Sequence, residues 1–210
     1  MKDFKLLWQS QWENQKEKLE TLSLLLRNNP LFGCHIKFYQ SKPKNIIAVT
    51  GTNGKTSVAD FFYQILNANN IPVASIGTLG IRYREKFIKT NLTSPDVITL
   101  HRNLYKLKKN KIDNVIVEAS SHGLDQNRLD NLTLKAGIFT NFSQDHLDYH
   151  KSMRAYLRAK LILFKKLLPK NSYVITDKFS KEYSILEKIS KKRQLKVLDS
   201  NKIFNDIKKL

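Results

Sequence analysis

Seven residues, Thr50-Gly51-Thr52-Asn53-Gly54-Lys55-Thr56, carry the strongest chemical signal in the chain. They follow the apolar run Asn45–Thr50 and precede a helix-like segment, which places them on a strand-to-helix turn. Gly51 and Gly54 let backbone N–H groups wrap around phosphate oxygens, and the helix start adds the positive end of its dipole. Lys55 stands where it would neutralise β- and γ-phosphate charge, and the Thr56 hydroxyl where it would ligate Mg²⁺. The spacing departs from the usual phosphate loop, because Thr50 and Val49 occupy the positions where its first glycine is expected.

Two further constellations follow apolar strands. Val117-Glu118-Ala119-Ser120-Ser121-His122-Gly123 has the serines of a nucleophile elbow but not the glycine two positions before the serine, which argues against a serine hydrolase. A carboxylate at the C-terminal end of a strand, on the same edge as the phosphate loop, suits Mg²⁺; capping of the next turn by Glu118 is the alternative. In Thr140-Asn141-Phe142-Ser143-Gln144-Asp145-His146-Leu147-Asp148-Tyr149-His150, two histidines stand at i, i+4. Zinc would need a third ligand that the pattern lacks, and His146 beside Asp145 and Asp148 equally suits a packed or capping role.

The elements that must position these residues alternate. Strand candidates are 45–50, 73–78, 114–120, 136–141, 172–177 and 195–200; helix candidates are 56–69, 97–110, 152–168 and 180–192. Strands apolar on both faces, separated by helices, predict an α/β fold: a mostly parallel sheet sandwiched by helices, with the loops after the strands along one ligand-binding edge. Residues 3–28, rich in Leu, Gln, Glu and Lys and free of Pro and Gly, predict a helix that Asn28-Asn29-Pro30 ends. The division expected is a helical extension and connector over 1–44 and an ATP-binding domain over 45–210.

Composition narrows the class. With 210 residues, 41% hydrophobic and 26% charged, the chain has room for about one globular domain. No apolar run approaches the roughly 20 residues that span a bilayer, and the N-terminus lacks the pattern of a secretory signal. The single Cys34 excludes an internal disulfide and fits a reducing compartment, so a cytoplasmic protein without membrane insertion is expected. The net charge of +19 invites a nucleic-acid partner, yet 29 of the 37 basic residues are Lys, spread throughout without Arg–aromatic clusters. A polyphosphate ligand accounts for part of that charge more simply than nucleic acid does.

Taken in order, the three segments closely resemble the central domain of the Mur ligases, the ATP-dependent amide-forming enzymes of peptidoglycan synthesis. The second and third resemble the MurE branch, which adds the third peptide residue to UDP-MurNAc-dipeptide. The likeness runs from about residue 45 to about residue 177. Cyanophycin synthetase and folylpolyglutamate synthase share the first motif, but not Ser120-Ser121-His122-Gly123-Leu124 with its following Gln126 and Arg128.

The resemblance implies ATP binding by Gly51, Thr52, Asn53, Gly54, Lys55 and Thr56, with one Mg²⁺ shared by Thr56 and Glu118. It implies a second Mg²⁺ on His146, and contacts to UDP-MurNAc-L-Ala-D-Glu from Thr93, Ser94, Ser120, Gln126 and Arg128. Lys160 matches the lysine that the family carbamylates with CO₂; carbamylation turns a cation that repels Mg²⁺ into a carboxylate that ligates it. Lys55, Glu118, His146 and Lys160 are thus the catalytic group implied. The implied chemistry is transfer of the ATP γ-phosphoryl to the substrate carboxylate, then attack by an amino-acid amine on the acyl phosphate. Such a ligase serves cell-wall biogenesis, and through it cell shape and division.

The resemblance stops at one domain. The 44-residue lead-in is too short for the usual uridine-binding domain, and no Asp-Asn-Pro-Arg motif or C-terminal domain is found after Asp177. The Asn-x-Asp-Asp stretch expected near adenine is reduced to Ile175-Thr176-Asp177-Lys178. A chain truncated at its C-terminal end, or a nucleotide-binding module completed by a partner chain and inactive alone, is therefore the alternative expectation.

Overall fold

A computed structural model describes residues 39, 41–90 and 92–202. Backbone contacts separate Met1–Gln40 from Ser41–Leu210; the helix expected over 3–28 and most of the Lys-rich tail lie outside the described residues. Within the second unit, eight strands form one sheet in the order β4-β3-β2-β5-β1-β6-β7-β8. These are β1 Asn45–Thr50, β2 Val73–Gly77, β3 Gly80–Tyr83, β4 Lys86–Ile88, β5 Asn114–Glu118, β6 Leu134–Phe139, β7 Tyr173–Thr176 and β8 Lys196–Asp199. The helices are α1 Lys55–Ala68, α2 Val97–Lys109, α3 Ser121–Asp125, α4 Leu147–His150, α5 Met153–Ile162 and α6 Tyr183–Arg193, with a π-helical turn at Leu163–Leu167.

The α/β expectation holds, and alternation along β1 shows why the sheet is sandwiched. Ile46 and Ala48 join the large cluster with Leu100, Leu104 and Leu107 of α2, Phe164 of the π turn and Leu186 of α6. Ile47 and Val49 face the other way and pack with Val58, Ala59 and Phe62 of α1 and Ile116 of β5. Successive side chains of a strand point to opposite faces, so a strand apolar at every position needs helices on both.

Two features depart from expectation. The segment after β2 turns back as an antiparallel hairpin, β2 pairing with β3 and β3 with β4. No strand is expected there from the sequence: β4 is exposed at every position and β3 is only four residues long and begins at a glycine, so neither offers an alternation to detect. The helix expected over 152–168 is instead α5 followed by the π turn. The wider turn lays Leu163, Phe164 and Leu168 against Gly137 of β6, where even a methyl group would meet Phe164 at 3.0 Å. Strand and helix ends otherwise lie within a few residues of their expected bounds.

The register fixes the functional edge. Val49 lies opposite Glu118 of β5, and Thr50 opposite Phe139 of β6. The turns that leave β1, β5 and β6 therefore rise side by side from the centre of the sheet. Asp96 and Ser152 cap α2 and α5 through bonds to Thr99 N and Ala155 N. At α1 the cap is Gly54, with φ 81° and no side-chain bond, which leaves the first N–H groups of that helix open.

His101 of α2 is 0% exposed, with Nε2 2.9 Å from the Asp130 carbonyl and Nδ1 buried without a partner. Burial holds its pKa below the ordinary 6.5, against the pull of the Asp130 carbonyl and with help from Lys42. The unfolded chain takes up this proton first, so stability should fall as pH drops from 6.5 toward the lower folded value. Urea midpoints compared across that range should show the decline, and His101→Gln should flatten part of it; an unchanged slope would refute the assignment.

Docking of the π turn makes a second prediction. Phe164→Ala should cost about 3–5 kcal/mol in urea unfolding. Phe61→Ala, at a site 61% exposed, should stay within about 0.5 kcal/mol. Equal effects would contradict this packing.

Candidate functional site

The loop after β1 is shaped by what crowds it. Gly51 adopts φ 149°, and a Cβ there would lie 1.8 Å from the Thr140 hydroxyl. Across the gap, Thr140 Oγ1 donates to Asn53 O at 2.6 Å and Thr52 N donates to Asn141 O at 2.9 Å. Asn53 N donates to the Asn141 side chain at 2.9 Å, and Ser143 N to Thr52 Oγ1 at 3.0 Å. The segment after β6 thus clamps the loop along its length. Thr140, Asn141 and Ser143 lie in a stretch the sequence singled out, but only His146 there carried an expected role.

Two ammonium groups meet on one backbone oxygen. Lys55 Nζ donates to Gly51 O at 3.0 Å and to Thr52 O at 2.7 Å. Lys160 Nζ, from α5, donates to the same Gly51 O at 2.6 Å and lies 4.2 Å from the Tyr156 ring centroid. Lys160 is 1% exposed. Burial, reinforced by the Lys55 charge and opposed by Asp145, pulls its pKa down to about 7. Burial lowers Lys55 too, with Glu118 and Asp145 opposing.

On the other side of β1, Glu118 is 1% exposed and its carboxylate is ringed by donors. Thr56 Oγ1 donates to it at 2.8 Å, Thr78 N at 2.9 Å and Thr78 Oγ1 at 3.2 Å. Room for it exists because residue 77 is glycine: a Cβ there would fall 2.0 Å from Glu118 Oε1. The Thr78 proton goes to Glu118, so Thr93 Oγ1, 3.1 Å away, is the donor to Thr78. A hydroxyl and a carboxylate side by side, beside open helix N–H groups, are oxygen donors of the kind Mg²⁺ takes while keeping most of its water.

The remaining expected residues fall in two groups. Ser94 is buried, its hydroxyl donating to Glu118 O at 2.8 Å and accepting from Ser120 N at 3.0 Å. Ser120 Oγ lies 3.0 Å from Ser94 Oγ and caps α3 by accepting from Gly123 N at 3.0 Å. Arg128 donates through Nη1 to Ser94 O at 2.7 Å and through Nε to Gln126 Oε1 at 2.9 Å.

His146 opens α4 in a left-handed conformation, with Nε2 3.4 Å from Asp145. Its ring lies 5.0 Å from that of His122 and 5.9 Å from that of Tyr156. Burial, then the neighbouring His146 and His150, lowers the His122 pKa to about 4, with Asp148 opposing. The ring is therefore neutral at ordinary pH. Among the described residues, no three His, Cys, Asp or Glu side chains are grouped to hold a metal ion. His122, Tyr149, His150 and Tyr156 pack around this corner, and only their place within the quoted motifs hinted at it.

Known proteins resemble this chain in sequence and in fold. Residues 49–206 match the Mur ligase middle domain family. The UDP-N-acetylmuramoyl-L-alanyl-D-glutamate–2,6-diaminopimelate ligase of Brucella melitensis is 47% identical over 147 residues, 69% of this chain and 30% of that protein. The ligase of the same description from Zymomonas mobilis is 41% identical over 186 residues, 87% of this chain and 38% of its own length. A solved structure of a ligase with this description superposes with a TM-score of 0.69 at 30% identity, covering 78% of this chain and 34% of that one. FolC of E. coli, solved with DHPP and ADP, shares the fold with a TM-score of 0.60 at 16% identity over 85% of this chain and 50% of its own. The chain spans about a third of the length of the curated relatives it matches. The phosphate loop, the carboxylate beside it and the match along residues 49–206 together place this chain in the Mur ligase family, as its middle domain.

Proposed function

We propose that this chain is the ATP-binding core of a MurE-type ligase, joining UDP-MurNAc-L-Ala-D-Glu to a diamino acid in the cytoplasm. The observation that carries the proposal is the open start of α1 behind Gly51–Gly54, with Lys55 on one side and the Thr56–Glu118 pair on the other. We also propose the division into an extension over 1–44 and a central domain over 45–210.

In this proposal the N–H groups of Gly54 and of the first turn of α1 surround the phosphates, the Thr52 and Asn53 N–H groups being held by Asn141, and Lys55 leaves the Gly51 and Thr52 carbonyls to meet the phosphates. Thr56 and Glu118 hold one Mg²⁺, and His146 with carbamylated Lys160 a second. Bound Mg²⁺ supplies charge neutralisation on the phosphates. Arg128, held by Gln126 and Ser94, faces the anionic substrate, with Thr93 and Ser120 beside it. Catalysis then rests on positioning and charge stabilisation by these groups, as expected for phosphoryl transfer. Lys160 suits carbamylation because, with a pKa of about 7, much of it is a neutral amine near neutral pH.

A second proposal is that the chain acts as a nucleotide-binding module completed by a partner chain, in keeping with a family match confined to the middle domain. Phosphate release from ATP with Mg²⁺, bicarbonate, UDP-MurNAc-L-Ala-D-Glu and either diaminopimelate or lysine separates the two. Dipeptide-dependent release that falls about a hundredfold or more in Lys55→Ala supports the working ligase. Retained ATP binding without release supports the module, and ATP affinity unchanged by Lys55→Ala sinks both.

Carbamylation has its own test. Incubation with ¹³C-bicarbonate should give a carbamate carbon resonance that grows as pH rises through about 7, because the neutral amine is the form that reacts with CO₂. Lys160→Arg should lack it. A resonance that persists in Lys160→Arg would show that another amine is modified.

A further inference from the structure

Tyr149 has no place in the assignments above, yet its hydroxyl stands between two of the motifs. Its ring lies 4.1 Å from His122 and 4.7 Å from His150, at the corner that holds His146. Its hydroxyl donates to Asp125 Oδ2 at 3.0 Å. A phenol has one proton, so its lone pairs face the other way, and there Gln126 Nε2 donates to it at 3.3 Å. That bond decides which end of the Gln126 amide points where. With Nε2 turned to Tyr149, Oε1 is turned to Arg128 and accepts from both Nε and Nη2 of the guanidinium. Nη1 donates to Ser94 O at 2.7 Å, so these bonds use three of the five guanidinium N–H groups and leave the outer Nη1–Nη2 edge to face an anion.

We propose that Tyr149 is a positioning residue for Arg128, acting through Gln126. The proposal deepens the ligase assignment, since it rests on Arg128 facing the anionic substrate. The directions form a fixed series: Asp125 can only accept, so Tyr149 must donate to it; Tyr149 must then accept from Gln126, and Gln126 must present oxygen to Arg128. If the amide turned over, an NH₂ group would face a guanidinium that has no acceptor. Tyr149 also joins the stretch after β6, which clamps the phosphate loop, to the turn after α3, which carries Arg128. Substrate recognition and the loop after β1 are thereby braced against one another, alongside the ring contacts of His122 with His146 and His150.

The test uses the full chain and does not depend on turnover. Hydrogen exchange of the Arg128 side-chain Nε–H is followed by ¹⁵N NMR in wild type, Tyr149→Phe, Gln126→Glu and the double variant. Tyr149→Phe keeps the ring and removes only the hydroxyl. It should speed Arg128 Nε–H exchange by a factor between about two and ten, the range of one net hydrogen bond, and leave the β5 amides unchanged. A carboxylate at 126 presents oxygen either way round, so Tyr149→Phe should have no further effect in the Gln126→Glu background. Unchanged exchange in Tyr149→Phe, an equal acceleration of the β5 amides, or the same acceleration with Glu at 126 would each overturn the proposal. In the phosphate-release assay, Tyr149→Phe should raise the KM for UDP-MurNAc-L-Ala-D-Glu and leave that for ATP unchanged. Absence of release in wild type would count against the ligase assignment alone, with the exchange rates still deciding the role of Tyr149.

Discussion

The Gly51 carbonyl oxygen is the point on which this structure turns. Two lysines from different parts of the chain donate to it, at 3.0 and 2.6 Å. Such a meeting of like charges is unfavourable unless one partner gives up its proton or both gain strong acceptors. Here the balance is struck by burying Lys160 deeply enough that its proton is weakly held, with Asp145 limiting the effect. The backbone can take this course because residue 51 has no side chain to strike Thr140 and turns at φ 149°, a region that glycine alone enters freely. Phosphate loop, modification candidate and the strand between them are therefore one construction.

From that oxygen the edge of the sheet divides by chemistry. Toward β5 and β2 lie acceptor and hydroxyl groups, with the Glu118 carboxylate held by Thr56 and Thr78. Toward β6 lie Lys160, the imidazoles and the clamp built from Thr140 to Ser143. The central strand β1 pairs with β5 on one side and β6 on the other, so a single register brings both halves to the loop after β1. Glycine at 51 lets the loop lie against Thr140 on the β6 side, and glycine at 77 makes room for Glu118 on the β5 side.

Much of this was legible in the amino-acid sequence. The alternation of apolar runs with helix-like stretches marked the sandwiched sheet, and Gly51 to Thr56 announced the loop because its glycines and lysine sit on a strand-to-helix turn. What escaped did so for physical reasons. Strand β4 is wholly exposed and three residues long, so it carries no periodic signature. The π turn is set by how Phe164 meets Gly137, a contact between residues distant in the chain. Lys160 looks like any lysine on a basic helix; its burial comes from a loop 109 positions earlier. Tyr149 and Gln126 have ordinary neighbours in sequence, and only their meeting in space gives either a direction.

The strand order carries a consequence for how the chain acquires its shape. β1 appears early in the chain, yet its partners begin 69 residues later with β5 and come later still with β6, and the Lys160 contact closes over 109 residues. During synthesis β1 must wait, unpaired and apolar on both faces, until the partner strand 69 residues further on has been made. Long-range parallel pairing of this kind is slow, because the entropy of closing large loops is lost before contacts compensate it. The loop after β1 cannot form early as an independent local unit, because the clamp after β6 and Lys160 must both be made before it is complete. A nascent chain halted before Lys160 would carry the whole phosphate motif and still lack its working shape.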